Sequence, residues 1–242
     1  MKHAPDDEQS KPAAGVAFFS GEVILVFAVF FVLLSVLIVL IRLIFFNREE
    51  ELDNQVFGYL LPYVSGRNTQ IMQCFTVLGS HRFLVPAWLL AFAWCWFRIK
   101  NKWVFTRVVI IAVSNMLLMF GLKYFFNRSR PLIPLLKEVP GLSFPSGHAY
   151  MGLVFFGQII YLVYYGVRNR WLKWMTIVLL VFIIFMIGLS RVYLRLHYSS
   201  DVVAGYCFGL LSLMLMFWLL KKAEQYQVYR RKVKQHGWKP NG

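Results

Sequence analysis

The sequence predicts an all-α, polytopic membrane protein with six transmembrane helices, and three observations carry that expectation. The 242 residues are 59% hydrophobic and only 15% charged, more apolar than a water-soluble domain. Six long apolar runs divide the chain, and a helix needs about 20 such residues to cross the hydrocarbon core. No period-two alternation recurs, which argues against the strands of a membrane barrel.

Residues 23–41 form an uncharged apolar run, the first span. It reads as a retained span and not a cleaved signal, because Asp6, Asp7 and Glu8 make the start acidic where a signal peptide is basic. The longest connection, residues 47–82, contains DNQVFGYLLPYV, suited to a short helix lying in the interface. Five further spans are expected near residues 83–97, 104–120, 151–165, 175–189 and 202–220. The organisation that follows is a cytoplasmic tail at 1–20, a six-span domain at 21–220 and a basic cytoplasmic tail at 221–242. The first fifteen or so residues read as disordered. Cys74, Cys95 and Cys207 lack metal-ligand spacing and read as apolar filler.

Lysine and arginine set the orientation. With the N-terminus inside, 15 basic residues fall in the inner segments against 9 in the outer ones, so both termini are expected in the cytoplasm. The formal net charge of +15 could point to nucleic acid, but KKAEQYQVYRRKVKQ directly follows the last span. Contact with anionic lipid is the simpler reading, and no nucleic-acid partner is expected.

In this topology three polar clusters converge on the outer face. The third span ends in GLKYFFNRSRPLIP, which gathers Lys123, Arg128 and Arg130 before Pro131. The fourth begins with FPSGHAY and so carries Ser146, Gly147 and His148. The fifth ends in SRVYLRLHYSSD, with Ser190, Arg191, Arg195, His197 and Asp201. Basic residues at one helix end usually snorkel to the interface. Ionisable groups at three span ends on one side point instead to an anion site.

The residue types suggest the chemistry. His197 and Asp201 are four apart, so on a helical turn they share a face. A carboxylate on one ring nitrogen fixes the tautomer and leaves the other nitrogen as nucleophile or base. Pro145-Ser146-Gly147 before a helix offers backbone amides and a hydroxyl to an anion. Lys123, Arg130 and Arg191 suit non-bridging phosphate oxygens, and His148 can donate a proton to a leaving oxygen. Beyond Asp53, the carboxylates are only Glu138, Asp201 and Glu224, too few for a two-metal cage. The expectation is therefore phosphoryl transfer through a phosphohistidine with no metal and no cofactor.

Lys123 followed after six residues by Arg130-Pro131, then Pro145-Ser146-Gly147-His148, then Ser190-Arg191, His197 and Asp201, resembles the three-part signature of the type 2 phosphatidic acid phosphatase (PAP2) superfamily. The resemblance covers roughly residues 115–209. It implies a six-helix bacterial enzyme that removes phosphate from lipid phosphates or diphosphates at the outer face of the plasma membrane. It implies His197 as nucleophile, Asp201 as its orienting carboxylate and His148 as general acid, with Lys123, Arg130, Ser146, Gly147 and Arg191 holding the phosphate. Many bacterial relatives have glycine and proline where this chain has Arg195 and Ser199. Arg195 is thus a candidate for a second phosphate or a headgroup, or it simply packs its stem.

Undecaprenyl diphosphate, phosphatidylglycerol phosphate and phosphatidic acid are the expected substrates, and the sequence does not separate them or set the oligomeric state. A lipid-phosphate transporter or binding protein without turnover is the first alternative, but binding alone needs no oriented nucleophile beside a proton donor. A lipid-to-lipid phosphotransferase is a second. A vanadate-dependent haloperoxidase shares a similar anion pocket, but its relatives are soluble.

Overall fold

The computed structural model describes residues 12–47, 51–98, 102–131, 134–135 and 141–236. Among them the chain is helical, with no strand. Helix α1, Pro12–Ile41, opens on a proline, whose missing N–H costs nothing at a first helical position, and one wide turn, Arg42–Phe46, ends it. The expected disordered tail lies outside the described residues as far as residue 11, and from Pro12 onward the chain is helix.

The long connection holds two helices. The first, α2 (Glu51–Leu60), has Glu51 and Asp53 in its first turn, where acidic groups oppose the helix dipole. Its apolar residues Val56, Phe57 and Leu60 pack on Ala149, Val192 and Val202. The second, α3 (Gly66–Leu78), starts at Ser65, whose side chain accepts from the Asn68 amide at 3.2 Å. It meets α4 (His81–Arg98) at a 42° bend. The second span is therefore longer than expected and broken, since GRNTQIMQC is too polar to register as a membrane run. With this bent pair taken as one, six helical segments among the described residues are long and apolar enough to cross a membrane.

The remaining spans are α5 (Lys102–Phe126), α6 (Gly147–Gly166), α7 (Arg170–Tyr193) and α8 (Ser199–His236). Asn127, at φ 45°, ends α5 in the left-handed conformation that asparagine tolerates. The 38 residues of α8 extend about 57 Å, well beyond a hydrocarbon core of about 30 Å. The basic stretch after residue 220 thus continues the last helix through His236.

Helix α6 lies at the centre, with its own Tyr150 and Val154 and Ile187 of the neighbouring span fully buried. Lipid supplies no hydrophobic drive between helices, so small residues and hydrogen bonds hold the bundle together. A Cβ at Gly205 would lie 2.9 Å from the Ser146 carbonyl, and one at Gly209 would lie 2.9 Å from Leu153. These two glycines, one turn apart on α8, allow its backbone onto α6. Deeper in, Tyr150 Oη donates to Asn115 Oδ1 at 2.7 Å, and Ser212 donates to the same oxygen, which joins α5, α6 and α8.

Candidate active site

The three expected clusters meet at one end of the bundle. Lys123 leaves the last turn of α5 and donates to the Leu142 carbonyl at 2.6 Å. Arg130 follows in the irregular segment and donates to the carbonyls of Gly141 (3.1 Å) and Leu196 (3.0 Å). The same segment is drawn in by Ser143, whose amide donates to the Arg128 carbonyl at 2.7 Å. Burial lowers the Arg130 guanidinium from its ordinary value, and the Asp201 charge opposes the shift.

Ser146 is the N-cap of α6, and its amide donates to the Asp201 carbonyl at 3.0 Å, tying the start of α6 to that of α8. Among the described residues its buried hydroxyl has no hydrogen-bond partner, nor does the buried Nε of Arg191. An oxyanion is the group that satisfies a hydroxyl, a guanidinium edge and a helix N-terminus together. A Cβ at Gly147 would lie 3.6 Å from Lys123 Cε, so the first residue of α6 stands directly against the lysine. His148 lies within electrostatic reach of Arg191, His197, Arg130 and Lys123. Arg191, 3% exposed, donates from Nη1 to Thr76 on α3 at 2.7 Å.

His197 is fixed by its backbone, because the amides of Leu196 and His197 both donate to the Arg191 carbonyl, at 3.0 and 3.3 Å. Its Nδ1 lies 3.5 Å from Asp201 Oδ2, within ion-pair range but long for a hydrogen bond. Ser143 sits beside both, donating to Asp201 Oδ2, with its Oγ 3.4 Å from His197 Nδ1. Desolvation by complete burial pushes His197 down to about 4, against the opposing pull of the neighbouring Asp201 carboxylate. The ring is therefore neutral at pH 7, the form a nucleophile needs. Asp201 also accepts from the Tyr198 amide at 3.0 Å, which caps the start of α8.

Two participants, Asp53 and Ser143, escaped the sequence reading, and Arg128, gathered there with the other cations, pairs with carboxylates. Arg128 does not snorkel. It is 8% exposed, and it donates from Nη1 to Asp201 Oδ1 at 2.7 Å and from Nη2 to Asp53 Oδ2 at 3.1 Å. Asp53, 3% exposed, arrives from α2, and Ser143 comes from the loop before α6. Arg128 was visible in a cluster of cations, but nothing local marked Asp53 as its partner. Arg195 stands apart, half-buried, with its guanidinium carbon 5.6 Å from the Phe57 ring centre and a backbone φ of 52°.

Residues 103–225 match the model of the PAP2 superfamily. The chain belongs to that superfamily. It is 31% identical over 153 residues to phosphatidylglycerophosphatase B of Bacillus subtilis, a match covering 63% of this chain and 73% of that one. Among solved structures, the transmembrane PAP2 type phosphatidylglycerolphosphate phosphatase from Bacillus subtilis matches with a TM-score of 0.70 at 27% identity, over 81% of this chain and 96% of that one. Aquifex aeolicus LpxE shares the fold, with a TM-score of 0.53 at 23% identity, over 69% of this chain and 94% of that one. The chain is a multi-pass, membrane-integral protein, and its family and phosphatase relatives support a lipid phosphatase of the PAP2 type.

Proposed function

We propose that this PAP2 protein hydrolyses a glycerophospholipid monophosphate, with phosphatidylglycerol phosphate the favoured substrate, through a phosphohistidine on His197. The observation that carries this reading is an apolar groove of about 360 Å³ between α4, α5 and α6. Lys123, Gly147 and His148 line its polar end, and Leu84, Trp88 and Met116 line its flank. It extends along α5 from Lys123 to Ala112, eleven residues or about 16 Å. A phosphate at the cations would thus have its lipid tail in an apolar slot. The favoured headgroup rests on the Bacillus subtilis phosphatases that this chain is similar to.

In the proposed reaction Lys123, Arg130, Arg191 and the Ser146–Gly147 helix start hold the non-bridging oxygens and neutralise their charge. Nε2 of neutral His197 attacks phosphorus while the bond to the lipid oxygen breaks, and His148 gives its proton to that oxygen. The imidazole then carries phosphate on Nε2 and a proton on Nδ1, and Asp201 stabilises its positive charge. A water next attacks phosphorus and gives a proton to His148. The P–N bond breaks, inorganic phosphate leaves and His197 is neutral again. The basic residue distribution favours both termini in the cytoplasm and this site at the outer face.

Purified protein assayed against phosphatidylglycerol phosphate, phosphatidic acid and undecaprenyl diphosphate tests the reading. The highest kcat/KM is expected for phosphatidylglycerol phosphate, with a phosphoenzyme trapped by alkaline denaturation, which preserves a P–N bond, in the wild type and not in His197→Ala. Binding without phosphate release, or turnover without a trapped intermediate, would overturn it.

A further inference from the structure

We propose that Asp53, on the interfacial helix α2, is a positioning residue of the catalytic machinery, holding Arg128 so that one oxygen of Asp201 stays committed to His197. The inference rests on the reading of His197 as nucleophile. Asp53 lies outside the stretch that matches the family model, so the family signature does not point to it.

Its surroundings are unlike those of a surface acid on an amphipathic helix. Ser199 Oγ donates to Asp53 Oδ1 at 2.6 Å, and the Ser200 amide donates to it at 2.9 Å. Ser200 Oγ donates to Oδ2 at 2.6 Å, and Arg128 Nη2 donates to it at 3.1 Å. The carboxylate thus caps the first turn of α8, the helix that carries Asp201, and grips the guanidinium that reaches Asp201. Arg128 also sits over the face of Tyr198, its Cζ 4.0 Å from the ring centre, which further restrains the guanidinium.

A free guanidinium beside a carboxylate prefers the two-pronged arrangement, one N–H on each oxygen. Here Nη1 serves Asp201 Oδ1 and Ser200 Oγ, while Nη2 is drawn to Asp53. Oδ2 of Asp201 is left for Ser143, the Tyr198 amide and His197. Without the Asp53 charge, Nη2 would swing to Oδ2 and compete with the ring of His197.

Charge gives the same answer. Arg128 alone cancels Asp201, whereas two carboxylates on one guanidinium leave one negative charge behind His197. That charge opposes the positive charge the ring gains when phosphorylated on Nε2. The environment is buried, 3% exposed at Asp53 and fully buried at Asp201, so water screens it little. Asp53 touches neither substrate nor the reacting atoms; it acts through Arg128 and Asp201.

The test compares Asp53→Asn, Asp53→Glu, Arg128→Lys and the double variant Asp53→Asn/Arg128→Lys, with His197→Ala as control. Asp53→Asn keeps the shape and loses the charge, and is expected to lower kcat about 10-fold with KM within about threefold of wild type. Asp53→Glu, the poorer steric match with the charge kept, is expected to retain at least about a third of kcat. The double variant is expected to be no slower than Arg128→Lys alone, because Asp53 acts through Arg128. Wild-type kcat in Asp53→Asn, equal losses in Asn and Glu, or losses that multiply in the double variant would each overturn the proposal. If Asp53→Asn does not accumulate in membranes, Ser200→Ala serves instead, with an expected fall of about threefold in kcat at unchanged KM; unchanged kcat overturns the proposal. Turnover persisting in His197→Ala would defeat the nucleophile assignment itself, a result distinct from every outcome at Asp53.

Discussion

Gly79 packs directly against His148: a Cβ on Gly79 would stand 3.1 Å from the His148 Cβ and 3.2 Å from its carbonyl oxygen. The break between α3 and α4 therefore lies against the start of α6, and the bend of the second span is where the proposed general acid is packed. The same hypothetical Cβ would come within 2.6 Å of Ile187 Cγ2, a buried β-branched side chain with little room to turn away.

Gly79→Ala is thus expected to shift His148 and to cost about 1–3 kcal/mol of stability, the usual range for overpacking a filled core. The thermal midpoint in detergent should fall, and turnover of a lipid substrate should fall more than turnover of nitrophenyl phosphate, whose leaving group needs no proton. Equal losses on the two substrates would place the damage somewhere other than His148.

The two histidines should separate by leaving group. His197→Ala removes the proposed nucleophile and is expected to reduce turnover of every substrate to background. His148→Ala retains it and is expected to lose about 10²–10⁴-fold on a lipid ester, the worth of general acid catalysis, and much less on nitrophenyl phosphate. Steady-state rates on the two substrates decide the matter, and the opposite pattern would exchange the roles.

The depressed pKa of His197 gives a signed expectation for stability. Its neighbours are Asp201, Arg191, Arg130 and His148, and its value falls from 6.5 to about 4. As pH drops below 6.5 the unfolded chain binds a proton at this position that the folded chain does not, so stability is lost between 6.5 and about 4. Thermal midpoints should therefore fall across that window in the wild type, and less steeply in His197→Gln. Parallel curves for the two proteins would show that His197 titrates normally when folded.

How far the sequence reached differs between parts of the molecule. Residues 23–41 and the apolar segments after residue 83 stood out because a bilayer selects uninterrupted apolar runs. Residues 66–78 did not, because Arg67, Asn68, Gln70 and Gln73 interrupt the pattern, although this helix supplies Thr76 to hold Arg191. Lys123, Arg130, Ser146, Gly147, His148, Arg191, His197 and Asp201 were legible because each sits at a span end with a fixed spacing to the next. Asp53 was not, since its partner Arg128 lies 75 residues away and nothing in a local pattern joins α2 to Asp201. Ser143 was hidden for the same reason. It reaches Asp201 only because the loop folds back on Arg128.

Orientation can be read from two exposed positions, one in the connection after the first span and one in the last helix. Tyr63, in the turn after α2, is exposed at 65%, and Gln227, near the other end of α8, is also exposed. In a background lacking Cys74, Cys95 and Cys207, Tyr63→Cys is expected to react with a membrane-impermeant thiol reagent added to intact cells. Gln227→Cys is expected to react only after the membrane is opened. The reverse labelling would put the phosphate site in the cytoplasm.

Arg195 offers the last test, because its backbone and its side chain make different demands. A non-glycine residue in the left-handed region costs about 1–2 kcal/mol, and Arg195 sits there at φ 52°. The stacking of its guanidinium on Phe57 returns about 0.5–1 kcal/mol at a partly exposed site. Arg195→Gly relieves the strain and loses the stack, so stability is expected to stay within about 1 kcal/mol of wild type or to rise slightly. Because Phe57 holds the guanidinium against α2, the ratio of kcat/KM for a diphosphate to that for a monophosphate lipid is expected to change less than about threefold. A contact with a second phosphate would be a charge-assisted hydrogen bond worth about 1.5–3 kcal/mol, and its loss would lower the diphosphate rate alone by about 10-fold or more. Measuring both lipids on the same preparation distinguishes these outcomes, and a selective loss on the diphosphate would show that Arg195 leaves Phe57 to reach the substrate.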